Sequence, residues 1–308
     1  MPPRPEPPAS PAAPSFLVSG RRIEAEPIAP GLHVVATPIG NLRDMTLRGL
    51  NALAAADAIL AEDTRVTRGL LTHYGIGTPL TAYHEHNAAA LGPKVVARLQ
   101  AGARIALVSD AGTPLVSDPG FRLVAEVARG GVPVTAEPGP SALLAALVVS
   151  GLPAERFFFE GFLPPKSAAR RARLAELRAI PGSLVFFESP QRIAASLLDC
   201  ADILGGAREA AVAREMTKLF ETVRRGSLEA LAAAFGAAEP PRGEIVLVIG
   251  PAPAEEAGAD DGAALDARLR DALRAHSVKD AAAIVSGETG LPRRRVYARA
   301  LQLAGKGE

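Results

Sequence analysis

Apolar and polar positions change rhythm several times along this chain. Residues 1–30 hold 9 of the 27 prolines and show no periodic apolar pattern, so they read as a disordered Pro-rich tail. From Leu32 the texture changes to short aliphatic runs alternating with segments at helical spacing. Strands are predicted at 32–37, 58–61, 104–109 and 132–136. Helices are predicted at 46–56, where Leu47, Leu50 and Leu53 share a face, and at 66–74, 121–128 and 141–149. Asp118-Pro119 offers an N-cap and a first-turn proline to the third of these. Nearly continuous apolar strands alternating with helices predict a mainly parallel sheet, buried on both faces.

Gly151-Leu152-Pro153 interrupts this pattern, and a second unit follows. It has strands predicted at 157–159, 184–188, 211–213 and 244–249, and a basic helix at 167–178. The Ala/Pro/acidic stretch 251–262 reads as a linker. Three short helices come last: 263–275, a second capped by Ser277 with Asp280 three residues on, and 293–303 after Gly290 and Pro292. The expected architecture is two α/β domains, 31–150 and 151–250, plus a helix-turn-helix-like module at 263–308.

Composition narrows the chemistry. The 308 residues carry 34 Lys plus Arg against 33 Asp plus Glu, a net charge of +1, so any nucleic-acid contact must come from local patches. One cysteine, Cys200, excludes an intrachain disulfide framework and multi-cysteine metal sites. The longest apolar run, 142–149, is too short to cross a bilayer, so no membrane partner is expected. No apolar signal-peptide core lies in the first residues, so a cytoplasmic location is expected.

Ligands of open parallel sheets bind beyond the carboxyl ends of the strands. The three loops there read Thr37-Pro38-Ile39-Gly40-Asn41-Leu42-Arg43-Asp44, Asp110-Ala111-Gly112-Thr113-Pro114 and Glu137-Pro138-Gly139-Pro140-Ser141-Ala142. Gly, Pro and small polar residues let backbone groups approach a ligand closely. Pro140-Ser141-Ala142 also opens a helix whose first amides suit an anionic group. No GxxxxGK[ST] phosphate loop occurs, and no GxGxxG follows the first strand. His84-Glu85-His86-Asn87 has zinc-ligand residue types but no further ligand set, so no metal is expected and the segment reads as a loop lining a substrate cleft.

Nine motifs in order carry a resemblance. ATPIGNLRDMTLRGL at 36–50, AEDTR at 61–65, YHEHN at 83–87, SDAGTPLVSDPG at 109–120 and EPGPSA at 137–142 lie in the first unit. GFLPPK at 161–166, FFESPQR at 186–192, AREMTK at 213–218 and GEIVLVIG, which ends at Gly250, lie in the second. Together they resemble a bacterial family of 16S ribosomal RNA cytidine-2′-O-methyltransferases within the tetrapyrrole methylase (class III methyltransferase) superfamily. The resemblance implies S-adenosylmethionine in the cleft between the two α/β domains, and usually a homodimer. It implies as substrate a cytidine of 16S rRNA in the decoding region of the small ribosomal subunit. By motif, it places Pro38, Gly40, Asp110, Gly112, Thr113, Ser141 and Ala142 beside the cofactor. From the second domain it adds Phe187, Ala213, Met216 and Ile245. Relatives acting on tetrapyrroles carry a Gly-rich first loop ending in Gly-Asp. Here Thr-Pro-Ile-Gly-Asn stands in its place, which favours the RNA-modifying branch.

Methyl transfer from a sulfonium is an in-line displacement, so the protein mainly supplies alignment. A 2′-hydroxyl is a poor nucleophile, and a base or polarising group assists it. Asp63, Glu85, Glu188 and Lys218 are the candidates, although Glu188 also suits a turn brace and Asp63 a pairing with Arg65. Phosphate contacts are expected from Arg43, Arg65 and Arg68, from Lys166, Arg170, Arg171 and Arg173, and from Arg293, Arg294 and Arg295. Two alternatives remain open: a methylase of a small tetrapyrrole, and a non-catalytic RNA-binding assembly factor on the same fold.

Overall fold

The computed structural model describes residues 13–116, 120–252, 256–289 and 293–304. The Asp118-Pro119 helix start, the Gly290 and Pro292 punctuation and the first twelve residues of the expected tail lie outside them.

The rest of the expected tail is ordered. β1 (Ser15–Val18) and β2 (Arg21–Glu24) form an antiparallel hairpin in which Val18 pairs with Arg21. Its two-residue turn, Ser19-Gly20, has φ of 51° and 77°, the left-handed pair that matches strand twist in tight hairpins. Phe16 is 4% exposed in the first domain's core, and the Leu17 N–H donates to the Tyr74 carbonyl at 2.7 Å. Glu26 and Asn51 exchange two hydrogen bonds, at 2.8 and 3.1 Å. Proline density concealed this hairpin, because its first strand offers just three consecutive apolar residues, Phe16-Leu17-Val18, as a signal.

The first domain runs β3 (Gly31–Val35), α1 (Leu47–Ala55), β4 (Ala58–Ala61), α2 (Thr64–His73), β5 (Leu80–Ala82), α3 (Glu85–Gln100), β6 (Arg104–Val108), α4 (Phe121–Arg129), β7 (Val134–Glu137) and α5 (Ala142–Val149). Its five strands are all parallel, in the order β5-β4-β6-β3-β7. The central strands β3, β4 and β6 are apolar almost throughout because helices cover both faces. His33 is the polar exception on β3. Its Nδ1 lies 3.1 Å from Glu137 Oε1 and its Nε2 2.9 Å from the Ala29 carbonyl, while Arg48 Nε donates to Glu137 Oε2 at 2.6 Å. Both ring nitrogens therefore face acceptors, and the pairing fastens residues 25–30 to the sheet.

The second domain runs β8 (Phe157–Phe162), α6 (Ser167–Leu177), β9 (Ser183–Glu188), α7 (Ile193–Leu204), β10 (Glu209–Arg214), β11 (Thr222–Ser227), α8 (Leu228–Gly236) and β12 (Ile245–Ile249). Its sheet order is β11-β10-β12-β9-β8, parallel only between β8 and β9. α5 joins the two domains. It is apolar on every face because its Leu143, Ala146 and Leu147 pack on Val185, Val246 and Val248 of the second sheet. Arg225 donates to the Val149 and Ser150 carbonyls, capping the end of α5 with a cation.

α9 (Glu256–Leu273), α10 (Val278–Thr289) and α11 (Arg293–Ala304) follow. The stretch expected as a linker at 251–262 is thus helical from Glu256 onward. Glu256, Ala257 and Ala259 are good helix formers, whereas the prolines and acidic residues of the stretch suggested a tether. Leu269, Val285, Val296 and Ala300 form this module's own core. Arg299 donates to Asp266 through Nε and Nη2, each at 2.7 Å, joining α11 to α9. Among the described residues, no helix is long and apolar enough to cross a membrane.

Candidate methyl-transfer site

The three loops beyond β3, β6 and β7 are stitched into one rim. Thr37 and Gly112 exchange backbone hydrogen bonds at 2.9 and 3.0 Å, an isolated bridge between the first two loops. Thr37 Oγ1 donates to the Ser109 carbonyl at 3.1 Å, and Ser109 Oγ to the Gly112 carbonyl at 3.1 Å. Thr113 Oγ1 reaches the Pro140 carbonyl of the third loop at 3.1 Å. Gly112 sits at φ 84°, and a Cβ there would lie 3.3 Å from Ile39, so the bridge favours glycine. Ser141 caps α5 by accepting from the Leu144 N–H.

Two adjoining cavities open against this rim. The first, about 370 Å³, lies between the domains. Gly112, Thr113, Ser141 and Ala142 line one side, and Phe187 and Ile245 the other. The second, about 520 Å³, lies over Pro38, Gly40 and Asp110, with Val66 and Thr67 of α2 and with Lys218. Ile39, Ala111 and Glu244 line both and form the shared wall. The residues named from sequence therefore divide. Six of them face the first cavity, and Pro38, Gly40 and Asp110 face the second. Ala213 and Met216 are buried behind the wall with Ile39. Glu244, Ile39 and Ala111 were not singled out, although all three stand inside motifs quoted above.

The turn after β10 holds the shared wall in place. Glu215 and Thr217 have φ of 54° and 66°, left-handed values that non-glycine residues adopt only where surroundings enforce them. Lys218 Nζ donates to Glu215 Oε1 at 2.8 Å and to Glu244 Oε2 at 3.1 Å, and the Glu244 N–H donates to Glu215 Oε1 at 3.0 Å. Burial pulls the Lys218 ammonium pKa down, but bonding to Glu215 and Glu244 outweighs it and leaves it above the ordinary value. Gly40, at φ 145°, and Gly243, at φ 95°, leave room for this turn. A Cβ on either would approach Lys218 or Glu215 within 2.4 Å.

The remaining candidates fare differently. Asp63 caps α2 and is gripped by Arg65, at 2.6 Å to Nη2, which holds its carboxyl at about 2. Glu188 is 3% exposed and accepts from the Ser189 N–H, Ser196 Oγ and Arg192, the bracing role. Glu85 is the first residue of α3, so YHEHN starts a helix rather than forming a loop. The His84 N–H there donates to Asn87 Oδ1 at 2.9 Å.

The basic helix α6 requires a correction. Arg170 is 4% exposed and donates to Asp199 Oδ2 at 2.7 Å, so it cannot face RNA. Arg171 bonds Asp199 and Asp202, and Arg173 bonds Glu160 and Glu176. The Arg170 charge is spent on the fold, because its apolar environment demands a carboxylate partner, whereas Arg171 and Arg173 are ion-paired but half-exposed. Arg43, Lys166, Arg293, Arg294 and Arg295 are exposed; so is Arg65, paired with Asp63.

Comparison with known proteins decides the family. The tetrapyrrole (corrin/porphyrin) methylase model matches residues 31–232, and the model of the RsmI C-terminal HTH domain matches 259–304. A ribosomal RNA small subunit methyltransferase I of Mesorhizobium japonicum is 52% identical over 93% of this chain and 97% of its own length. The chain belongs to that family of tetrapyrrole methylases. A relative of the same name from Xylella fastidiosa is 49% identical over 86% of this chain and 97% of its own. The fold is also that of a cobalt precorrin-4 methyltransferase of cobalamin biosynthesis, with a TM-score of 0.53 at 16% identity. That match covers 71% of this chain and 94% of the other. The chain is accordingly an S-adenosylmethionine-dependent methyltransferase.

Proposed function

We propose that this enzyme methylates the 2′-hydroxyl of a cytidine in 16S rRNA, in the decoding region of the small ribosomal subunit, in the cytoplasm. The observation that carries the reading is the pair of adjoining cavities with one shared wall, in a chain whose relatives are named for this RNA. The first cavity fits the methyl donor. Its described lining has no Lys or Arg to repel a sulfonium, and Phe187 and Ile245 offer apolar surface to an adenine. Gly112, Thr113, Ser141 and Ala142 would hold the polar end. When bound, S-adenosylmethionine supplies an activated methyl group. The protein's residues orient it, exclude water and place the acceptor oxygen in line behind the methyl carbon, where the two cavities meet.

Homodimerisation belongs to the same reading. Leu144 and Val148 on one face of α5, and Leu219 and Phe220 beyond β10, are exposed apolar side chains suited to a second copy. Sedimentation velocity tests this.

The deciding assay is transfer of a tritiated methyl group to isolated small subunits, followed by alkaline hydrolysis and mapping. A 2′-O-methyl blocks backbone cleavage, so label is expected in one alkali-resistant dinucleotide containing cytidine. Label on a base, or on a tetrapyrrole and not on RNA, would refute the reading.

A further inference from the structure

The acceptor side of the site needs a group that receives a proton, and four sequence candidates do not supply one. Asp63 is neutralised by Arg65, and Glu188, which borders the first cavity but not the second, is tied to three donors. Glu85 is absent from both cavity linings. Lys218 is held protonated between two carboxylates, so it cannot act as a base. Asp110 lines the second cavity alone, where it accepts the Asp63 N–H at 3.0 Å. Glu244 differs from all of these, being the one ionisable side chain among the described residues that lines both cavities. It is 76% exposed, and its Oε2 accepts from Lys218 at 3.1 Å.

We infer that Glu244 is the general base of the transfer and that the second cavity receives the acceptor nucleoside, extruded from its strand. This rests on the proposed 2′-hydroxyl acceptor. The geometry suits in-line displacement. The donor sulfur and the acceptor oxygen must lie on opposite sides of the reacting carbon, an arrangement that neighbouring chambers meeting at Ile39, Ala111 and Glu244 allow. As the oxygen–methyl bond forms, the sulfur–methyl bond breaks and its electron pair stays on sulfur. The hydroxyl proton passes to the Glu244 carboxylate and then to solvent. Lys218 acts as a positioning residue, since its ammonium holds Glu244 while Gly40 and Gly243 leave room for that contact. A cavity of about 520 Å³ has room for one pyrimidine nucleoside outside a stacked strand.

The test is Glu244→Gln, which keeps size and exposure. The expected result is a kcat on small subunits about 100-fold lower or more, as for loss of a general base. Donor affinity by calorimetry, and subunit binding measured without donor, should stay within two-fold. The acidic limb of the wild-type kcat–pH profile should flatten in the variant. A kcat within three-fold of wild type, an unchanged acidic limb, or a loss confined to donor affinity would each overturn the assignment. If wild type itself transfers nothing to subunit RNA, the acceptor reading fails first, and the two failures are thereby told apart. Lys218→Arg should retain more activity than Lys218→Met at equal melting temperature; equal loss in both would remove the positioning role.

Discussion

Replacing Arg170 by Met separates two uses of a basic helix. Arg170 lies in the second domain with only 4% of its surface exposed, and its guanidinium reaches Asp199 at 2.7 Å. Removing one partner of a buried ion pair costs about 3–5 kcal/mol, because the other charge stays in a poor solvent. Here Ser167 Oγ at 2.9 Å and Arg171 at 3.1 Å still serve Asp199, so the low end, about 3 kcal/mol, is expected. For a domain of about 100 residues that corresponds to roughly 12–24 °C in the melting transition. The double variant Arg170→Met with Asp199→Leu should recover most of the loss, since an apolar pair of similar volume often equals a buried ion pair. The pH dependence has a definite sign. Burial raises the Asp199 pKa, but hydrogen bonds from Ser167, Arg171 and Arg170 outweigh it and leave it below the ordinary carboxylate value. Its contribution is therefore complete above about pH 4 and fades as pH falls through the lower folded value. Differential scanning calorimetry from pH 3 to 8 should show the gap between wild type and Arg170→Met narrowing at the acid end. An Arg170→Met protein with wild-type stability and weakened subunit binding would refute the burial argument and return Arg170 to the RNA surface.

Other outcomes follow from the same geometry. Gly243→Ala should lower both activity and melting temperature, because its Cβ would meet Glu215 at 2.3 Å, whereas Gly77→Ala, with open space around it, should be near neutral in the same melt. Cys200 is fully buried and burial pushes its thiol up to about 12, so a thiol reagent at pH 8 should react only as fast as the protein unfolds. Phe187→Ala should weaken donor binding about ten-fold in calorimetry, the effect of losing an aromatic wall, while leaving subunit binding unchanged. Replacing Arg293, Arg294 and Arg295 by Gln should make subunit binding less salt-dependent, by about 0.7–0.9 log unit per lost phosphate contact. An unchanged salt slope would assign the module a structural role.

Much of this architecture was legible because its signals are local. Apolar strands, Ser141 and Ser277 as helix caps, and small-residue loops at strand ends each depend on a few neighbouring residues. Elements that depend on distant partners were not legible. α3 carries Gly92-Pro93 in mid-helix, which breaks a periodic reading, yet Val95 and Leu99 anchor it under the sheet. The short strand β5 is only three residues long and is defined by pairing with β4.

The misplacement of charge has the same origin. A run such as Arg170-Arg171-Ala172-Arg173 looks like a phosphate track, because sequence shows the cations together and their carboxylates apart. Asp199 lies 29 residues from Arg170, and Glu160 lies 13 from Arg173. Glu244 is the converse case. In sequence it is one more polar residue before a strand, 26 positions from Lys218. Only the crossing of β12 beside β10 puts its carboxylate on the wall between two chambers. The loops that shape the site are legible as motifs, since glycine and proline advertise backbone geometry. The acid between the cavities is not, since a carboxylate's chemistry depends on which charge folding places beside it.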